Sequence, residues 1–308
     1  MSWTRPRAVR AGDLVGVCAP AGPVDGEMLD RGVHELEGLG FRVRVAAHAR
    51  KRYRFTAGTL DERLSDLEGL LADEEVAAIV CARGGAGSGW LLPRLDPERI
   101  RARPKALVGY SDITFLHLLW ARAGVVSFHG PMVARELSAG SYHKESFLAA
   151  LRAQGRPYAT ESDELLPLRR GEAEGRLRGG CLSILAGAAG TPWALQTEGE
   201  DTILFVEDVD EPPYRIDRML MQLRSSGALS GVRGIVFGDM KGCSPGIDAD
   251  YGLEDVIQQA LEGLGVPVAL GLSSGHTRNP AVTLPLGVRV RLRCGEDAAF
   301  EVLEPAVS

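Results

Sequence analysis

The 308-residue chain is 45% hydrophobic, with a net charge of -6, which is enough material for a sizeable core in one large domain or two modest ones; two are expected. The mild acidity is spread along the chain, and beyond the short basic start MSWTRPRAVR no stretch presents a phosphate-neutralising surface, so nucleic acid is excluded as an expected partner. The five cysteines (Cys18, Cys81, Cys181, Cys243, Cys294) are odd in number, widely spaced and without a CxxC pair, which argues against a disulfide frame or a structural zinc site and for reduced cytosolic thiols.

From the N-terminus, AGDLVGVCAPAGP follows the basic start and is broken by Gly, Asp and Pro, so it reads as a strand and its turn rather than the apolar core of an export signal. No apolar run approaches the roughly 18 residues of a membrane span. A soluble, cytoplasmic chain with no membrane partner is expected.

DLVGVCAP, MLDRGVHELEGLG, FRVRVAAHA, LDERLSDLEGLLAD and VAAIVCARGG then alternate apolar β-branched runs with amphipathic stretches of helical length. Strand, helix, strand, helix, strand is the pattern of a parallel sheet flanked by helices. KALVGYSD, ITFLHLLWARAG and VVSFHGPM continue it, giving an α/β domain over residues 1–150. Residues 151–175, with the charged stretch ESDELLPLRRGEAEGR, read as a solvated passage between domains. A second, more β-rich domain over 176–308 follows: DTILFVED as a strand, PPYRIDRMLMQLRSSG as a helix led by Pro212 and Pro213, GIVFGDM as a strand, LEDVIQQALEGLG as a helix, VPVALGL as a strand, then VRVRLRC and AAFEVLE as a hairpin.

Ligands of such sheets bind beyond the carboxyl ends of the strands, so residues just after apolar runs carry the first interest. Ser111, in KALVGYSDITF, stands at a strand-to-helix junction; an elbow there lifts the hydroxyl out of the sheet and aims the next amide, that of Asp112, at whatever the serine attacks. An ordinary helix N-cap is the other reading of the same residues. The cluster RGGAGSGW lets Gly84 or Gly85 bring a backbone donor opposite Asp112, or is a plain turn. A dinucleotide fingerprint fits it badly, because Trp90 falls where the last glycine belongs. Glu207 ends a fully apolar strand, where a carboxylate needs a partner, or begins an acidic cluster leading a helix. His276 lies in a Ser/Gly-rich loop after another apolar strand, open to a cleft or to solvent. His34 and His117 sit in helix patterns, His48 and His143 near turns, and His129 at a strand end. None has the spacing of a metal pair, so no metal and no cofactor is expected.

Taken together, DLVGVCAPAGP, FTAGTLDERLSDLEGLLADEEVAAIVCARGG, LVGYSDIT, FHGPM, ILFVEDVDEPPYRIDRMLMQL and GHTRNPAVTLPLG resemble, nearly end to end, the LD-carboxypeptidase family of serine peptidases, which includes muramoyltetrapeptide carboxypeptidases and microcin C immunity peptidases. The resemblance implies a flavodoxin-like N-terminal domain, a C-terminal domain with a swivelling, barrel-like β-sheet, and a homodimer. It implies Ser111 as nucleophile, His276 as general base and Glu207 as the group holding that base, with oxyanion donors from the amides of Gly85 and Asp112. The implied substrate is a small peptide, a murein tetrapeptide losing its terminal D-alanine. Its free carboxylate calls for an arginine clamp; Arg83 and Arg278 are the candidates, beside Gly84 and Ala86 in the substrate wall. Two departures from the family pattern stand out: Ala86 where an aromatic residue is typical, and Cys181 where asparagine is common. A microcin-type peptidase acting on a peptidyl nucleotide is the alternative within the class, and a non-catalytic two-lobed binding protein the alternative outside it.

Overall fold

The computed structural model describes residues 3–152, 159–160 and 165–308. The chain forms two compact units that are not contiguous in sequence: Met1–Gly155 with Pro280–Gly287 and Pro305–Ser308, and Arg156–Asn279 with Val288–Glu304.

Numbering strands along the whole chain, the first unit holds β1 (Leu14–Cys18), β2 (Arg42–Val45), β3 (Val76–Cys81), β4 (Ala106–Gly109), β5 (Ser127–His129) and the late β12 (Leu284–Leu286). Their order is β12-β5-β4-β3-β1-β2. The strands from β2 to β5 are parallel, and β12 adds antiparallel to β5. The central strands β1, β3 and β4 are buried throughout, which explains why they read as unbroken apolar runs rather than alternating ones. The edge strand β2, RVRV, carries its arginines toward solvent. Because β2 and β3 lie on opposite sides of β1, the strand order reverses there, and the loops after β1 and β3 open the crevice where this architecture binds ligands. Backbone bonds tie those loops together: Ala82 N–H donates to Cys18 O at 2.7 Å and Gly22 N–H to Gly84 O at 2.9 Å.

Helix starts in this unit follow their local chemistry. Asp25 caps α1 (Gly26–Gly38) through the amide of Met28, and Thr59 with Glu62 forms a reciprocal capping box on α2 (Leu60–Ala72). Further along come α3 (Pro97–Ala102), α4 (Thr114–Arg122), which buries His117 and Trp120, and α5 (Lys144–Leu151).

The second unit holds β6 (Ala159–Thr160), β7 (Leu166–Arg169), β8 (Gly171–Cys181), β9 (Thr202–Glu207), β10 (Val232–Gly238), β11 (Val268–Leu272), β13 (Arg289–Cys294) and β14 (Ala298–Val302). They make a mixed, barrel-like sheet in the order β6-β14-β13-β8-β9-β10-β11-β7. Four central strands, β8 to β11, run parallel; β13 and β14 form the expected antiparallel hairpin. Helix α6 (Leu182–Ala188) follows β8 directly, α7 (Pro213–Ser225) begins at the Pro-Pro pair and buries Ile216, Leu220 and Leu223, and α8 (Leu253–Ala260) precedes β11.

One stretch differs from its sequence reading. Within 151–175, expected as a solvated passage, the described residues contribute β6, β7 and the start of β8 to the sheet. The charges that suggested solvent are spent across strands: Arg291 Nε donates to Glu174 at 2.8 Å, and Arg289 to the same carboxylate at 3.2 Å. A second departure is β12, which returns the chain to the first unit's sheet after the second unit is nearly complete.

Candidate active site

In the first unit the structure gathers Ser111, Asp112 and the glycine loop. Ser111 follows β4 and has φ +64, a left-handed backbone that a non-glycine residue adopts only when its surroundings enforce it. A single turn, Ser111–Ile113, leads into α4. The enforcement is visible in what touches the elbow. A Cβ on Gly84 would lie 2.8 Å from Ser111 Cβ and 3.0 Å from its Oγ, so the glycine loop approaches the serine as closely as backbone allows. A Cβ on Gly109 would lie 3.0 Å from Ile113 Cγ2. Asp112 is buried and faces into the unit: its carboxylate accepts from Ser88 N–H at 2.8 Å while its carbonyl accepts from Ser88 Oγ at 2.6 Å. The elbow is thereby pinned to the loop after β3.

Behind the elbow, His117 is buried between two partners. Its Nε2 lies 2.8 Å from Gly109 O and its Nδ1 2.9 Å from Ser127 Oγ. A carbonyl only accepts, so Nε2 carries the proton and the serine hydroxyl donates to Nδ1. Burial pushes this imidazole down to about 3, which keeps it neutral and preserves that arrangement. Tyr110 Oη donates to Glu136 at 2.7 Å.

Of the remaining candidates in this unit, Gly85 is exposed at φ +110, in contact with the loop after β1: a Cβ there would meet Gly22 Cα at 3.1 Å. Ala86 is exposed. Arg83 is half-buried and donates to Pro23 O at 2.9 Å.

In the second unit Glu207 and His276 are brought together. Glu207 ends β9 with no exposed surface, and its Oε2 accepts both from His276 N–H at 2.9 Å and from His276 Nδ1 at 2.8 Å. An ionised carboxylate only accepts, so the Nδ1 position carries the proton and Nε2 is the basic atom of the ring. Gly238 makes room for this carboxylate, since a Cβ there would lie 2.6 Å from Glu207 Cβ. On the other side Cys181 is in register with Glu207. Burial first, and then the nearby Glu207 and Asp208, push its thiol well up, so it stands beside the carboxylate as a neutral group. The buried Asp208 turns away from the pair to accept from Ser183 N–H at 2.7 Å and Val209 N–H at 2.9 Å, holding the start of α6. Arg278, two residues past the histidine, donates its backbone N–H to Asp239 at 2.7 Å and leaves its side chain 64% exposed.

Three supporting residues escaped the sequence reading: His117, Ser88 and Gly238. His117 had no local signal beyond a helix pattern, because its partners are a strand carbonyl and a strand serine. Among the described residues no group of three or more His, Cys, Asp or Glu side chains is placed to hold a metal ion, and no helix is long and apolar enough to cross a membrane.

Comparison with known proteins gives this geometry a context. Residues 15–130 match the LD-carboxypeptidase N-terminal domain and residues 174–292 the LD-carboxypeptidase C-terminal domain. A probable murein peptide carboxypeptidase of Bacillus subtilis is 38% identical over 99% of this chain and 95% of its own length. The murein tetrapeptide carboxypeptidase of Pseudomonas aeruginosa is 35% identical over 85% of this chain and 87% of its own. A solved structure of the microcin C7 self-immunity protein MccF with adenosine monophosphate superposes with a TM-score of 0.87, at 26% identity, over 99% of this chain and 100% of that one. The chain therefore belongs to the LD-carboxypeptidase family, and is a hydrolase of the serine carboxypeptidase class.

Proposed function

We propose that the protein releases the terminal D-alanine of murein tetrapeptides through a Ser111, His276, Glu207 triad. The observation that carries this reading is the Glu207–His276 pair, in which one buried carboxylate oxygen fixes both the backbone and Nδ1 of the histidine and leaves Nε2 as the basic nitrogen. In this mechanism Nε2 takes the proton of Ser111 Oγ as the oxygen attacks the scissile carbonyl carbon. The carbonyl electrons move onto oxygen, which the amides of Gly85 and Asp112 stabilise. Collapse of this intermediate breaks the C–N bond, the imidazolium protonates the departing amine of D-alanine, and an acyl-serine remains. Water, deprotonated by the same Nε2, then hydrolyses the ester and restores Ser111.

Of the two arginines, Arg278 is the better clamp for the substrate's free carboxylate: its guanidinium is largely exposed and lies 3.9 Å from Asp239, a looser hold than the 2.9 Å bond from Arg83 to Pro23 O. Gly84 and Ala86 line the substrate wall in this reading, and the small Ala86 leaves it open. The enzyme works in the cytoplasm as a homodimer on fragments from cell-wall turnover. The likeness to the microcin C7 self-immunity protein supports one second reading, cleavage of a peptidyl-nucleotide conjugate by the same triad.

Mass spectrometry of the purified protein incubated separately with murein tetrapeptide and with processed microcin C tests both. Loss of D-alanine from the tetrapeptide by wild type and not by Ser111→Ala is the expected result. Cleavage of the nucleotide conjugate alone favours the second reading, and equal activity of Ser111→Ala overturns the triad. Light scattering on the same preparation tests the dimer.

A further inference from the structure

Arg63 projects from α2 and is 4% exposed, an unusual position for a residue that keeps its charge at any working pH. Its Nη1 donates to two backbone carbonyls, Pro20 O at 2.6 Å and Gly87 O at 2.8 Å. Pro20 belongs to the loop after β1, and Gly87 to the glycine loop after β3, three residues beyond Gly84. Gly87 has φ +117, and a Cβ on it would lie 3.2 Å from Nη1 and 2.7 Å from Thr56 Cγ2, so the loop is drawn tightly onto the guanidinium. Burial lowers the affinity of Arg63 for its proton while the charge of Asp112 raises it, which places the Asp112 carboxylate within electrostatic reach. Asp112 in turn holds the first residue of the turn after the glycine loop through Ser88. One buried cation thus hydrogen-bonds the loops after β1 and β3, and the loop after β4 is tied to the second of these through Asp112 and Ser88.

We infer that Arg63 is a positioning residue for the oxyanion site: by bridging Pro20 O and Gly87 O beside Asp112, it sets the separation of the Gly85 and Asp112 amides across Ser111. This rests on the triad and oxyanion reading above. A single nitrogen with two N–H groups directed at two carbonyls suits a planar guanidinium; an ammonium carries its donors tetrahedrally and gives up its proton more readily when buried. Because the oxyanion forms only after attack, the function of this spacing is felt in the transition state and little in the bound peptide.

Arg63→Met keeps much of the volume and removes both bonds and the charge. The expected result is a kcat for D-alanine release lowered about 10- to 1000-fold, in the range of losing an oxyanion donor, with tetrapeptide affinity changed less than about threefold when Kd is measured by calorimetry on the Ser111→Ala background. Arg63→Lys recovers part of the rate. If Arg63→Met does not fold, Arg63→Lys and Arg63→Gln are read in the same two assays, with thermal midpoints confirming the folded state. A kcat within twofold of wild type, or parallel loss of kcat and of peptide binding in a folded variant, overturns the assignment of Arg63 while leaving the triad intact. Full activity in Ser111→Ala overturns the triad, and this inference with it.

Discussion

Replacing Glu207 by Gln separates the charge of the carboxylate from its geometry. Oε2 alone accepts both bonds from His276, so a glutamine carbonyl in the same place keeps the ring orientation and the Nδ1–H tautomer. What disappears, in the proposed mechanism, is the negative charge that faces the imidazolium once Nε2 has taken the serine proton. Two unit charges about 4 Å apart attract by roughly 4 kcal/mol at an effective dielectric of about 20. Hydrogen bonds to a charged group exceed neutral ones by about 1 kcal/mol. A loss of about 2–4 kcal/mol in transition-state stability is therefore expected, which at about 1.4 kcal/mol per decade lowers kcat roughly 30- to 1000-fold. Glu207→Ala loses orientation as well and falls further, to about 10⁴-fold. Because Gln removes a buried charge while keeping the oxygen that accepts both histidine bonds, its thermal midpoint stays near that of wild type. The assay is single-turnover release of D-alanine, with the tautomer followed by nitrogen NMR of the His276 ring. A Glu207→Gln enzyme within threefold of wild type, with chemistry rate-limiting, refutes the role given to the carboxylate.

Three further outcomes follow from the same geometry. Gly84→Ala drives a methyl group to 2.8 Å from Ser111 Cβ; activity falls at least 100-fold and stability by about 1–3 kcal/mol, read by D-alanine release and urea unfolding, and an active Gly84→Ala would disprove the close approach. His117 is held at about 3, below its ordinary 6.5. The unfolded chain therefore takes up this proton first, and the stability that neutral His117 contributes is complete above about pH 6.5 and lost as pH falls toward 3, about 3–5 kcal/mol in all. His117→Gln, which still donates to Gly109 O, flattens that part of the pH–stability curve; an unchanged acid slope would show that His117 is not the group responsible. All five cysteines are buried without a disulfide, and the thiols of Cys81 and Cys181 are pushed well up, the first chiefly by its hydrogen bond with Cys18, the second by burial. A thiol reagent at pH 8 thus reaches all five only after unfolding, and rapid labelling of native protein would contradict the packing.

The parallel core was legible because strands covered on both faces need no alternation: VAAIVC and ALVG read as apolar runs and are buried at every position. The candidate residues were legible for a related reason, since Ser111, Glu207 and the loop of His276 each follow such a run. Two kinds of feature stayed hidden. One is structure decided by distant partners. The charges of GEAEGRLR look solvated until Arg289 and Arg291 come alongside in β13, and the three residues of β12 become a strand only because β5 offers an edge. The other is the support behind the site, which has no motif because its chemistry is that of backbone carbonyls. Arg63 is one of several arginines on amphipathic helices, and only its burial against Pro20 O and Gly87 O sets it apart.

That asymmetry has a physical origin. A residue that meets substrate must stand at a strand end with a defined side chain, so local sequence constrains it. A residue that holds a loop acts through atoms every residue possesses, and many sequences satisfy the same carbonyl. The left-handed turn of Ser111 joins the two cases. Locally Gly-Tyr-Ser-Asp fits an N-cap as well as an elbow. The elbow at φ +64 exists here because Gly84 lacks a side chain on one side and His117 holds Gly109 O on the other. The strain of Ser111 is thus balanced by two neighbours, a glycine and a buried histidine. Relaxing either one, by Gly84→Ala or by an apolar residue at 117, removes the elbow's support while leaving Ser111, Glu207 and His276 in the sequence.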